Sequence, residues 1–116
     1  MSSLFSISSQ DEVQIVKVED LLSEYGNKAI LQATHTRINE GFHHFVIDMA
    51  DTRYMNSVGL NLLISLQKEL KKLGGQLVVA NASTKIRQLI EITKLRHFFE
   101  LYPSLEEAVA AFDEKE

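Results

Sequence analysis

Residues 45–60 read Phe45-Val46-Ile47-Asp48-Met49-Ala50-Asp51-Thr52-Arg53-Tyr54-Met55-Asn56-Ser57-Val58-Gly59-Leu60, and this stretch decides the fold. Its first part is a short continuous apolar run, the pattern of a strand buried on both faces because helices cover both. Its end enters a helix expected over about Ser57 to Leu73, where Leu60, Leu63, Ile64 and Leu70 lie on one face and Leu62, Leu66 and Leu73 widen it. Gly74-Gly75 stops that helix, and Lys68, Lys71 and Lys72 set positive charge against the negative end of its dipole. The ten residues from Asp51 to Leu60 therefore lie at the carboxyl end of a central strand, where open α/β sheets present functional groups.

Working outward, Leu77-Val78-Val79 forms the next buried strand. Ile86, Leu89 and Ile90 mark a second helix, with Asn81, Ser83 or Thr84 as its cap. Phe98 to Tyr102 supplies a last short strand, and Pro103-Ser104 with Glu107 matches a capping box opening a helix through Ala108, Val109 and Phe112. Upstream, Ile30, Leu31, Ala33 and Ile38 space a helix from about Asn27 to Asn39, ended by Gly41. Phe5 and Ile7 alternate with serines, and Gln10-Asp11-Glu12 turns the chain before Val13, Ile15 and Val18, so the sheet starts with an antiparallel pair. The expected fold is α/β, a mixed sheet of four to five strands with an antiparallel start and about four helices.

The 116 residues, 45% of them hydrophobic, suit one domain over 1–116 with a core that needs no staples. There is no cysteine, which excludes disulfides, thiolate metal sites and thiol nucleophiles. A net charge of -4 without a run of Lys or Arg argues against a direct grip on nucleic acid, so proteins are the expected partners. Met1 to Ser9 lacks the form of a signal peptide, and no apolar run reaches membrane-spanning length. The expectation is a cytoplasmic protein with no membrane insertion.

Ser57 is the obvious actor in the loop. Its plainest reading is structural: Asn56 or Ser57 is the N-cap of the helix, Gly59 permits close packing, and Tyr54 and Met55 fill the core. A buried strand, a short loop and Asn56-Ser57-Val58-Gly59-Leu60 entering a leucine-rich helix nevertheless resemble the signature of the STAS domain family, in its bacterial anti-sigma factor antagonist type. The resemblance runs on through Gly74 to Asn81 as the following strand and Ser104 to Phe112 as the closing helix.

That resemblance implies a non-catalytic switch. In such antagonists the unmodified protein binds an anti-sigma factor that is also a serine/threonine kinase, which frees the sigma factor; phosphorylation breaks the binding and a phosphatase restores it. ATP and Mg²⁺ belong to the kinase, and the antagonist holds no cofactor of its own. Carried onto this sequence, the phosphoacceptor is Ser57, and the contact surface comprises Glu24, Tyr54, Met55, Asn56, Ser57, Val58, Gly59 and Leu60. A phosphate at a helix amino terminus faces unpaired N–H groups and a favourable dipole, so the fold should survive modification.

The sequence departs from the family pattern in three places. Asn56 stands where aspartate is usual, which removes a charge beside the serine. Val58 lacks the second hydroxyl some members carry, leaving Thr52 as the nearest rival acceptor. Leu22-Ser23-Glu24 replaces a Gly-Glu-Leu-Asp pattern, with Glu24 as the best counterpart of an acidic residue ending the second strand.

Other chemistries fit less well. A nucleophile elbow needs Gly-x-Ser-x-Gly, and here the first glycine is Met55, with His97 the only histidine beyond the serine. A receiver-type domain with Asp48 or Asp51 as acceptor conflicts with the opening hairpin. His43-His44, with His35 nearby, lacks the spacing and carboxylates of a metal site. The closest alternative keeps the fold and makes the chain a phosphorylation-independent STAS interaction module in a stress-signalling or transporter-associated complex.

Overall fold

The computed structural model describes residues 5–19 and 24–114. Five strands form one sheet in the order β1-β2-β3-β4-β5, with β1 at Phe5–Gln10, β2 at Val13–Val18, β3 at His44–Asp48, β4 at Gln76–Ala80 and β5 at Glu100–Tyr102. Only β1 and β2 are antiparallel, joined by a tight turn in which Asp11 takes a positive φ of 55°. The remaining pairs are parallel, with Ile47 opposite Val16 on one side and Val79 on the other.

The helices are α1 (Glu24–Asn39), α2 (Ser57–Lys72), α3 (Thr84–Ile92) and α4 (Leu105–Glu114). Each of α1, α2 and α3 connects two parallel neighbours. Because such crossovers are right-handed and strand order advances in one direction, all three fall on the same face of the sheet. Their core contains Val16, Phe45, Ile47, Leu77 and Val79 from the strands with Ile30, Leu63, Leu66, Leu70, Ile86 and Ile90 from the helices. The alternate residues, Val13, Ile15, Val46, Val78 and Ala80, face the other way and are covered by Ala108, Val109 and Phe112 of α4. The unbroken apolar runs of β3 and β4 thus reflect two covered faces.

The chain stops and starts its helices by local chemistry. At the end of α2, Gly74 adopts a φ of 80° and donates to Lys71 O at 3.2 Å, while Gly75 N–H reaches back to Leu70 O at 2.8 Å. This is the paired bond set of a Schellman ending. Gly75 is needed for a second reason: a Cβ there would lie 2.0 Å from the His43 carbonyl oxygen. The same bonds end α1 at Gly41, as the sequence predicts. Ser83, one of the three candidate caps, accepts the Ile86 N–H at 3.2 Å and opens α3. The Ser104 hydroxyl accepts the Glu107 N–H at 3.2 Å and donates to the Glu107 carboxylate at 3.2 Å, so Ser104 caps α4 with Glu107 turned back onto its hydroxyl in place of its backbone N–H.

Three boundaries differ from expectation. Helix α1 runs from Glu24, three residues before Asn27, and buried polar Asn27 and Thr34 interrupt the apolar stripe that marks it in the sequence. Glu24 consequently opens a helix and does not end the second strand, which closes at Val18. The last strand is only Glu100–Tyr102; Phe98 and Phe99 precede it in a turn, Phe99 buried in the core and Phe98 set edge-on to it at 5.1 Å.

Candidate functional site

The loop from Met49 to Asn56 leaves the carboxyl end of β3 and is anchored at three points. Asp48, 5% exposed, accepts from Ala50 N–H at 3.1 Å and from the Asn81 side-chain amide at 3.0 Å. Asn81 sits just past β4 with a φ of 60°, a conformation that asparagine tolerates better than most side chains, and its N–H donates to Tyr102 O. A clamp therefore ties the ends of β3, β4 and β5 beneath the loop. Met49 N–H donates to Ala80 O at 2.9 Å and extends the same seam.

The third anchor is Thr52, which is 3% exposed and whose hydroxyl donates to Val18 O at 2.5 Å. The Thr52 hydroxyl, the nearest to Ser57 in the loop, is thus buried and engaged at the end of β2. Lys17 and Asp51 pair at 3.3 Å on the surface above it, both about half exposed; at that exposure the pair adds little stability.

Asn56 is the N-cap of α2. Its Oδ1 accepts from Val58 N–H at 3.0 Å and Gly59 N–H at 3.2 Å, with φ -114° and ψ -171°. Ser57 is then the first helical residue, exposed, and its hydroxyl has no hydrogen-bond partner among the described residues. The two structural readings of this pair separate: Asn56 does the capping and the serine is left over. Of the first-turn N–H groups that a phosphate would face, Asn56 already occupies those of Val58 and Gly59. The dipole remains, and no acidic residue stands in the first turn to oppose a further negative charge.

The rest of the expected contact set divides by depth. Tyr54 is exposed, with Lys85 Nζ 5.4 Å from its ring centroid, so it is no core residue. Met55 and Val58 are half-buried, Met55 packing against the main core. Gly59 and Leu60 are buried and support the surface from beneath. Glu24 opens the neighbouring helix α1.

The histidines have other employment. His35 Nε2 lies 2.6 Å from Glu69 Oε2, pairing α1 with α2, and His44 stacks on Phe112 at 4.8 Å. Among the described residues no group of three His, Asp or Glu side chains is arranged to hold a metal. His97 is exposed after α3, and no hydrogen bond joins it to Ser57 among the described residues. No described helix is long and apolar enough to cross a membrane.

One functional-looking residue was not anticipated. Gln67, fully buried on α2, donates to Phe98 O at 2.9 Å and accepts Leu77 N–H at 2.7 Å. It satisfies backbone groups of two distant segments and fixes α2 against the sheet edge.

Comparison with known proteins agrees with this geometry. The family model for the STAS domain matches residues 5–108. A relative from Bordetella bronchiseptica bearing the name anti-sigma factor antagonist BtrV is 29% identical over 76 residues, which is 66% of this chain and 66% of that relative, just under two thirds of its length. The crystal structure of an anti-sigma factor antagonist from Mycobacterium paratuberculosis superposes with a TM-score of 0.80 at 28% identity, covering 92% of this chain and 91% of that one. The phosphorylated form of the Bacillus cell fate determinant SpoIIAA has the same fold, with a TM-score of 0.76 at 19% identity over 93% and 98% of the two chains.

Proposed function

Because the chain belongs to the STAS domain family, we propose that it is an anti-sigma factor antagonist whose unmodified form binds an anti-sigma factor and whose binding ends when that factor, acting as a serine/threonine kinase, phosphorylates Ser57. The observation that carries this reading is the division of labour at the start of α2. Asn56 alone supplies the cap, so Ser57 presents an exposed hydroxyl whose modification costs the helix nothing. The names of the Bordetella and Mycobacterium relatives support the antagonist role, and the phosphorylated SpoIIAA supports the switch.

On this reading the chain catalyses no reaction. The hydroxyl oxygen of Ser57 attacks the γ-phosphorus of ATP within the kinase, which supplies the nucleotide and Mg²⁺ and takes the hydroxyl proton as the bond from the γ-phosphorus to the bridging oxygen breaks and ADP leaves; a phosphatase hydrolyses the phosphoserine back to serine and inorganic phosphate. The product carries about two negative charges where the partner surface had met a small neutral group, and repulsion and desolvation then oppose rebinding. The protein acts in the cytoplasm, where these partners and the sigma factor operate.

Mass spectrometry of the intact protein and its peptides tests the reading, after incubation with ATP, Mg²⁺ and extract of the source organism beside a Ser57→Ala control. A phosphate on Ser57 that the control lacks is the expected result. An unmodified Ser57 in an extract that phosphorylates a known substrate would shift the function to a phosphorylation-independent interaction module, with Asn56 in the place usual for aspartate as the reason.

A further inference from the structure

A shallow groove runs between α1 and α2, starting at Val58, the residue after Ser57. Asn27, Lys28 and Leu31 form one wall, and Val58, Asn61 and Leu62 the other. The α2 residues fall three and four apart, so they line one face of that helix and carry the Ser57 surface along it. The floor is mainly apolar, as a docking groove's is, but one of its lining groups is out of keeping: Asn27 is only 6% exposed, and among the described residues neither its amide nitrogen nor its amide oxygen has a hydrogen-bond partner.

Buried carboxamides are almost always paired, because a hidden donor and acceptor forfeit their bonds to water. Within a helix an alanine or leucine would serve packing better. The unmet pair is explained if its partner arrives from outside. A carboxamide offers one acceptor and two donors, and its natural complement is a peptide group, which supplies a donor and an acceptor together. Helical peptide groups are already paired internally, whereas those of an extended segment are open. Lys28, exposed at the rim, is the one charged residue lining the groove and fits an acidic neighbour.

Resting on the antagonist reading above, we propose that the α1–α2 groove receives an extended segment of the anti-sigma factor, an apolar side chain beside an acidic one, whose backbone completes the hydrogen bonds of Asn27. The segment parts the groove walls enough to reach the amide. A phosphate on Ser57 then stands at the mouth of this groove and repels the acidic residue, which joins recognition to the switch.

The test uses the ¹⁵N-labelled full chain titrated with its purified anti-sigma factor, and the variant Asn27→Leu, which keeps the branched shape and removes the unpaired groups. The side-chain amide signals of Asn27 are expected to shift on binding. The variant should melt no lower than the wild type while its Kd rises about tenfold or more, the scale of one lost buried hydrogen-bonding group. Unmoved Asn27 signals in a saturated wild-type complex would overturn the inference alone, as would unchanged affinity in a folded variant. Amide signals that respond to the chain's own concentration would make the occupant a second copy, which also overturns it. If neither the wild type nor Ser57→Ala binds the factor, the antagonist reading has failed and the inference falls with it.

Discussion

At position 56 one side-chain oxygen serves two backbone N–H groups, and this small fact governs what its neighbour can do. Replacing Asn56 by alanine leaves both donors to water and should cost about 1 kcal/mol, seen as a lower denaturant midpoint with an unchanged slope. Asn56→Asp keeps the acceptor and adds charge at the positive end of the dipole, so it should gain about 0.5 kcal/mol at neutral pH and low salt. Ser57→Asp belongs to the same argument: an acidic side chain at the first helical position suits the dipole, so the circular dichroism melt should barely move. Binding to the anti-sigma factor should fall roughly a hundredfold, the effect of about two lost charge-assisted contacts. A variant that unfolds would show that Ser57 is part of the framework. The serine and its cap were legible in the sequence as a pair of interchangeable readings, and only coordinates could assign them. Thr52 was legible only as a second hydroxyl, because the carbonyl that buries it belongs to Val18, thirty-four residues away.

Three of the four helices end in the same bond pattern, and one of them does so without glycine. After α3, Lys94 N–H donates to Glu91 O at 3.0 Å and Leu95 N–H to Ile90 O at 3.0 Å, with Lys94 at a φ of 61°. A lysine held there bears a steric cost of about 1–2 kcal/mol that glycine avoids, while glycine loses about 0.5–1 kcal/mol more backbone entropy on folding. Lys94→Gly should therefore stabilise by about 0.5 kcal/mol, a melting temperature higher by roughly 2–4 °C, and a lower melt would mean that Lys94 makes contacts worth more than the strain. The glycine-ended helices α1 and α2 were visible in the sequence, since Gly41 and Gly74 punctuate a periodic pattern. This third ending was not, because lysine gives no local sign of a left-handed turn. The same limit explains α1: its interior buries Asn27 and Thr34, so its period is weak and the sequence marks the helix only from Asn27. Glu24, placed in the sequence by the apolar helix position of Leu31, stands at the start of α1, past the close of β2 at Val18. Helix α2, with its broad leucine face, terminal lysines and closing glycines, was the clearest element, and the side chains that tie distant segments together, Asp48 with Asn81 and Gln67 with Phe98, were the least legible.

The whole molecule is unequal on its two faces, and this inequality separates stability from recognition. Three helices cover one face of the sheet and only α4 covers the other, where Phe112 is 4% exposed among Val13, Ile15, Val46 and Val78. Phe112 also stacks on His44, which opens β3, whereas the candidate surface begins beyond Asp48, which closes it. Five residues of strand set the two about 16 Å apart along the sheet. Phe112→Ala should thus remove about 3 kcal/mol or more from a total of roughly 5–15 kcal/mol, because little else can collapse into the space on that face. Its effect on the partner should be of another kind. Below the melting range, where the variant is folded, the Kd for the anti-sigma factor should match the wild type, and the difference should emerge on warming as the unfolded fraction grows. Titration calorimetry at two temperatures, beside a thermal melt, distinguishes these. A weaker Kd at low temperature, with the fold intact, would mean that packing under α4 is transmitted through β3 to the loop, and that the clamp of Asp48 and Asn81 moves with the core instead of insulating the site from it.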